Sequence, residues 1–133
     1  MERKLIIASE LKNIEYVRNF VRGIFKDFSL NMNYFNRIFL GISEAVHNAI
    51  LHGNQLNPEK NVFLKMRLEK NKIYIEIKDE GNGFCSENLS DPRTGENIKK
   101  EQGRGIFLIQ SMADKLSFQE DGRKVLIQFK IPE

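Results

Sequence analysis

Between residues 50 and 62 the hydrophobic period of this chain changes from helical to alternating, and that change separates a run of helices from a run of strands. Upstream, Leu11, Ile14, Val17, Phe20, Val21, Ile24, Phe25 and Phe28 recur at three- and four-residue spacing, the period of an amphipathic helix. Asn31 to Asn33 break that pattern, and Phe35, Ile38, Phe39, Ile42, Ala45, Val46, Ala49 and Ile50 define a second helix ending at His52-Gly53-Asn54. Downstream of Asn57-Pro58, Val62, Leu64, Met66 and Leu68 alternate with Phe63, Lys65, Arg67 and Glu69. After a turn at Lys70-Asn71-Lys72, Ile73, Ile75 and Ile77 alternate with Tyr74, Glu76 and Lys78. These two runs read as adjacent antiparallel strands. A short strand at 4–8 precedes the first helix, with Ser9 as its expected cap. A third helix from about Ile106 to Asp114 leads to a closing hairpin, Leu116–Phe118 paired with Val125–Ile131 across Asp121-Gly122. The expected fold is α+β, a two-layer sandwich with helices on one face of a mostly antiparallel sheet.

Composition narrows the function classes. With 133 residues, 41% hydrophobic, the chain has the size of one domain spanning 1–133. No segment approaches the roughly 20 apolar residues of a membrane helix. Met1-Glu-Arg-Lys runs into only four apolar residues, Leu5 to Ala8, so no signal peptide is expected and the protein is expected in the cytoplasm. The single cysteine, Cys85, excludes an internal disulfide, and no Cys/His cluster has zinc spacing. The net charge of +3, spread over a mixed surface, does not call for nucleic acid as a partner.

Three polar constellations can carry chemistry. Glu44 and Asn48 lie four residues apart on one face of the second helix. A carboxylate and an amide oxygen there suit a hard cation and a hydroxyl that must lose its proton, although a solvated helix flank has the same pattern. Asp79-Glu-Gly-Asn-Gly-Phe84 ends a strand. Its Asp can accept from an exocyclic amine and its glycines permit close approach, but a plain strand-to-turn junction reads alike. Gly103-Arg-Gly-Ile-Phe-Leu-Ile109 opens a helix whose N-terminal amides can hold phosphates, or is simply a glycine-flanked helix start. Between the last two lies a loop, within 80–105, long enough to be a lid.

In this order and spacing the three motifs resemble the Bergerat-fold GHKL ATPase superfamily, which includes gyrase-type topoisomerases, histidine kinases and mismatch-repair ATPases. The chain looks most like the small anti-sigma factor serine/threonine kinases of bacterial partner switches. Ser43-Glu-Ala-Val-His-Asn-Ala-Ile50 with His52-Gly-Asn54 resembles their N box, Asp79–Phe84 the G1 box, and Gly103–Leu108 with Met112-Ala-Asp114 the G2 box.

The resemblance implies ATP and Mg²⁺ as cofactors, with Asn48 binding Mg²⁺ and Glu44 acting as general base. It implies that Asp79 reads adenine, that Gly81 and Gly83 let the chain pass base and ribose, and that Gly103, Arg104 and Gly105 hold the phosphates. Lys99 or Lys100 would add charge in a lid, 85–103, that orders over ATP and loosens with ADP. The implied partners are an anti-sigma antagonist as substrate, a sigma factor or other output protein as the sequestered target, and a second copy meeting through the first strand and helix. Arg18 and Arg22 share a face of the first helix, where family kinases carry a partner-sensing arginine, and a solvated pair fits equally. His47 and His52 read as polar neighbours of the nucleotide, Phe35 and Phe39 as core, and Cys85 as an unremarkable thiol. The closing hairpin lacks the threonine that reaches adenine through water in several superfamily members. The alternative is a nucleotide-dependent binding module without kinase turnover. An isolated histidine-kinase catalytic domain fits less well for want of a phosphoacceptor helix, and a gyrase-like transducer would need a longer chain.

Overall fold

The alternation seen in residues 62–78 becomes the centre of a five-stranded sheet. The computed structural model describes residues 1–81 and 105–132. In chain order these form β1 (Glu2–Ala8), α1 (Ile14–Asp27), α2 (Phe35–Asn48), β2 (Asn61–Glu69), β3 (Lys72–Lys78), α3 (105–112), β4 (Lys115–Gln119) and β5 (Lys124–Lys130). The strand order is β1-β2-β3-β5-β4, and every pairing is antiparallel. Leu64 lies opposite both Leu5 and Ile77, and Ile75 opposite both Met66 and Ile127. Because side chains alternate faces along a strand, this register turns Val62, Leu64, Met66, Ile73, Ile75, Ile77, Ile127 and Phe129 onto one buried face. Val17, Val21, Ile24 and Phe25 of α1 and Ile38, Ile42, Ala45 and Val46 of α2 cover it. The fold is thus the expected α+β sandwich.

Several boundaries move, each for a local reason. Ser9 does not cap the first helix. It is fully buried, and its hydroxyl donates to the Lys60 carbonyl at 2.7 Å while accepting from Asn54 at 2.8 Å. The chain instead enters α1 through a 3-10 turn, Leu11–Asn13. The second helix runs on past Asn48 through one π turn, Ala49–Gly53, as the second-helix pattern requires, but with a wider turn than that pattern shows. The third helix stops at 112 rather than 114, because the Asp114 amide leaves the helix to donate to the Gln128 carbonyl of β5 at 2.8 Å.

Phe35 and Phe39 are core, stacked on each other at 5.8 Å between centroids, with Phe25 edge-on to Phe35 at 5.4 Å. Arg18 and Arg22 lie over these rings, 4.5 Å from the Phe39 centroid and 5.6 Å from that of Phe35, a cation–π seam between α1 and α2.

At one pole of the sheet the Leu68 amide donates to the Met1 carbonyl at 3.0 Å and the Ile131 amide to the Asn71 carbonyl at 2.7 Å. The other pole collects the end of β1, the start of β2 and the end of β3, where Ala8 faces Asn61 and Asp79 meets Arg123. Among the described residues no helix is long and apolar enough to cross a membrane.

Candidate functional site

Helical spacing stacks Glu44 and Asn48 on the last turn of α2. Neither side chain has a hydrogen bond or ion pair among the described residues, although Asn48 is only 6% exposed. Its amide atoms are not sealed from solvent, so water or a ligand can satisfy them. What faces the pair is the start of α3. A methyl group on Gly105 would sit 2.9 Å from Asn48 Nδ2 and 3.3 Å from Glu44 Oε2, so glycine brings bare backbone against both polar groups.

The π turn then carries the chain toward the end of β3. Its widened bond runs from the Asn54 amide to the Ala49 carbonyl at 2.8 Å, and such turns occur often at functional sites. It delivers Gly53 against the Asp79 carboxylate, where a Cβ would lie 2.5 Å from Cγ and 2.9 Å from Oδ1. Gly81 packs in turn on the Gly53 carbonyl, leaving no room for a side chain.

Asp79 is 4% exposed. The one hydrogen bond to its carboxylate among the described residues comes from the Gly81 amide to Oδ1, 2.8 Å, so Oδ2 keeps its accepting capacity. Burial pushes the carboxyl above its ordinary value, and the Gly81 amide and the charges of Arg123 and Lys60 only partly oppose this.

Asn48 and Asp79 line one slot. Ala45 and Ala49 of α2 and its π turn, Ile77 of β3, Ile106 and Ile109 of α3, and Phe118, Gly122 and Val125 of the β4–β5 hairpin complete it. Its free volume of about 10 Å³ is the space of one water. A roomier cavity of about 330 Å³ lies on the opposite, outer face of the sheet, bordered by Arg67, Tyr74, Glu76 and Gln128, away from Glu44, Asn48 and Asp79.

Of the residues singled out from the sequence, Glu44, Asn48, Asp79, Gly81 and Gly105 therefore converge at one end of the sandwich. Gly83, Gly103, Arg104, Lys99, Lys100 and Cys85 lie outside the described residues. Sequence reasoning placed Gly53 in the helix-ending His52-Gly-Asn54 of the N-box resemblance but gave it no spacing role. Only the pairing of the π turn with the end of β3 reveals that it is needed for space.

Residues 7–129 match the family described as histidine kinase-like ATPase domain. The chain belongs to that family. Such an ATPase domain implies ATP binding. Among similar proteins are the anti-sigma F factor of Bacillus subtilis, 29% identical over an alignment covering 87% of this chain and 81% of the relative, and that of Bacillus licheniformis, 29% identical over 80% and 74%. The anti-sigma F factor of Clostridium perfringens is 25% identical, with 96% and 95% covered. A crystal structure of the RsbU and RsbW domains of Rv1364c from Mycobacterium tuberculosis superposes with a TM-score of 0.67 over 98% of this chain at 11% identity. The match spans 31% of that longer chain and supports the fold.

The site fits the nucleotide that this ATPase family implies. It offers an amide with no partner among the described residues beside a carboxylate, a glycine at a helix start, and a carboxylate oxygen that accepts no hydrogen bond among the described residues. Hard oxygen ligands of this type suit Mg²⁺, which is commonly held by one or two side chains together with phosphate oxygens.

Proposed function

We propose that this histidine kinase-like ATPase domain is an anti-sigma factor serine/threonine kinase working in the cytoplasm. Its substrate would be a small anti-sigma antagonist, and its sequestered partner a sigma factor or other output protein. The observation that carries this reading is that Asn48, flanked by Glu44 and Gly105, lines one slot together with buried Asp79, supported by likeness to anti-sigma F factors over most of the chain.

Asp79 Oδ2 accepts the exocyclic amine of adenine. Gly81 and Gly83 keep side chains away from base and ribose. The Gly105 amide, at the positive end of the α3 dipole, holds the phosphates, a role shared with Gly103 and Arg104 on the resemblance of their motif. Mg²⁺, when bound, neutralises charge on the triphosphate, and Asn48 is the residue that would hold it. Glu44 orients the acceptor Ser or Thr hydroxyl and takes its proton while the new oxygen–phosphorus bond forms and the bond to the ADP oxygen breaks. Positioning and electrostatics then supply most of the rate. A second copy meeting through β1 and α1 belongs to the same reading, supported by exposed Ile6 and Tyr16 on those elements.

The test is transfer from γ-labelled Mg-ATP into a lysate of the source organism by the wild type, Glu44→Gln and Asn48→Ala. One small, acid-stable labelled protein, absent with both variants, is the expected result. An acid-labile product would indicate histidine phosphorylation instead. No transfer, with ATP bound and the partner present, would leave a nucleotide-dependent binding module.

A further inference from the structure

Asp79 can read a base only if its backbone is held, and the holding groups are specific. Its own amide donates to the Arg123 carbonyl at 2.9 Å. The next peptide N–H, that of Glu80, donates at 2.8 Å to the side-chain oxygen of Asn54. These two bonds hold both peptide groups flanking Asp79, and with them the backbone from which its carboxylate projects.

Asn54 is itself immobilised. It is 2% exposed, and its amide nitrogen donates to Ser9 Oγ at 2.8 Å and to the Asn61 carbonyl at 3.0 Å. Ser9 passes the connection on to the Lys60 carbonyl at 2.7 Å. The Glu80 carboxylate closes the ring by accepting the Asn61 amide at 2.9 Å. One buried amide thus joins the end of β1, the start of β2 and the turn after β3. All three side-chain hydrogen-bonding directions it uses are satisfied, an arrangement that fixes one geometry.

We infer that Asn54 is a positioning residue for base recognition, acting through the Glu80 amide to aim the Asp79 carboxylate at the amino group of adenine. The inference rests on the reading of Asp79 as the adenine contact. Asn54 touches no nucleotide itself.

The experiment compares binding of Mg-ATP with that of the triphosphate of purine riboside, which lacks the 6-amino group, by calorimetry on wild type, Asn54→Ala and Ser9→Ala. Thermal midpoints are recorded in parallel. Wild type should prefer ATP by about ten- to a hundredfold, the range of one hydrogen bond to a charged group. Asn54→Ala should lose at least about fivefold of that preference, through weaker ATP binding with the analogue little changed. Ser9→Ala, which keeps Asn54 but removes one of its partners, should lose less and remains informative if Asn54→Ala does not fold. Equal weakening of both nucleotides, with the preference intact, is the outcome of a merely structural role and overturns the inference alone. A wild type that binds both nucleotides equally overturns the reading of Asp79 and this inference with it.

Discussion

Gly53 and Asp79, 26 positions apart in the chain, are packed so closely that a β-carbon on the first would lie 2.5 Å from the carboxyl carbon of the second. Gly53→Ala must therefore displace either the π turn or Asp79. Overpacking of this kind costs about 1–3 kcal/mol. Urea unfolding should show that loss, and ATP affinity should fall by more than tenfold. A variant with wild-type stability and affinity would mean that the contact is not tight.

At Gly105 the balance differs, because the added methyl meets the Asn48 amide at 2.9 Å and the Glu44 carboxylate at 3.3 Å, not the core. Gly105 is the first described residue of α3, so the helix-interior preference for alanine, about 1 kcal/mol, acts only in part and is offset by that contact. Gly105→Ala should leave the thermal midpoint near that of wild type while weakening Mg-ATP binding about tenfold, equivalent to ~1.4 kcal/mol. Calorimetry and a melting curve on the same sample separate the two effects.

Burial raises the Asp79 carboxyl above its ordinary value of 3.8. Between that value and the raised one the folded state holds a proton that the unfolded chain has lost, and above both, ionised Asp79 costs stability. The cost is relieved as pH falls through the raised pKa toward the ordinary one. Asp79→Asn should melt above wild type at pH 7, with the gap closing toward pH 4, and should lose ATP binding. A gap independent of pH would assign the effect to packing.

Away from the site, a methyl on Gly41 of α2 would come within 2.9 Å of Phe129 Cζ, and Phe129 is 1% exposed. Gly41→Ala should destabilise by about 1–3 kcal/mol. Combined with Phe129→Leu, which withdraws the clashing atom, the cost should be less than the sum of the single changes, as a double-mutant cycle would read.

The layers of this fold were legible because each buried face has its own period. Val17, Val21 and Ile24 recur with a helix, and Ile73, Ile75 and Ile77 alternate with a strand. The strand order was not, because nothing local to Ile75 or Ile127 states that β3 takes β5 as its neighbour. Ser9 shows the same limit from the other side. A serine before a helical run looks like a cap, yet its hydroxyl is taken by an asparagine 45 residues away. The site was legible as motifs, since Glu44 and Asn48 share a helix face and Asp79 ends a strand. The spacing function of Gly53 and the hydrogen bonds of Asn54 required the tertiary pairing, and their residue types are equally usual at any helix end.

Met1 meets Leu68 and Ile131 meets Asn71 at one pole of the sheet, while Asp79 lies at the far end of β3. Seven strand residues separate the two poles, roughly 23 Å at the usual rise. A fluorophore on exposed Asn71, in the turn between β2 and β3, would therefore report on unfolding of the sheet from the pole away from Asp79, without touching the slot that Asp79 lines.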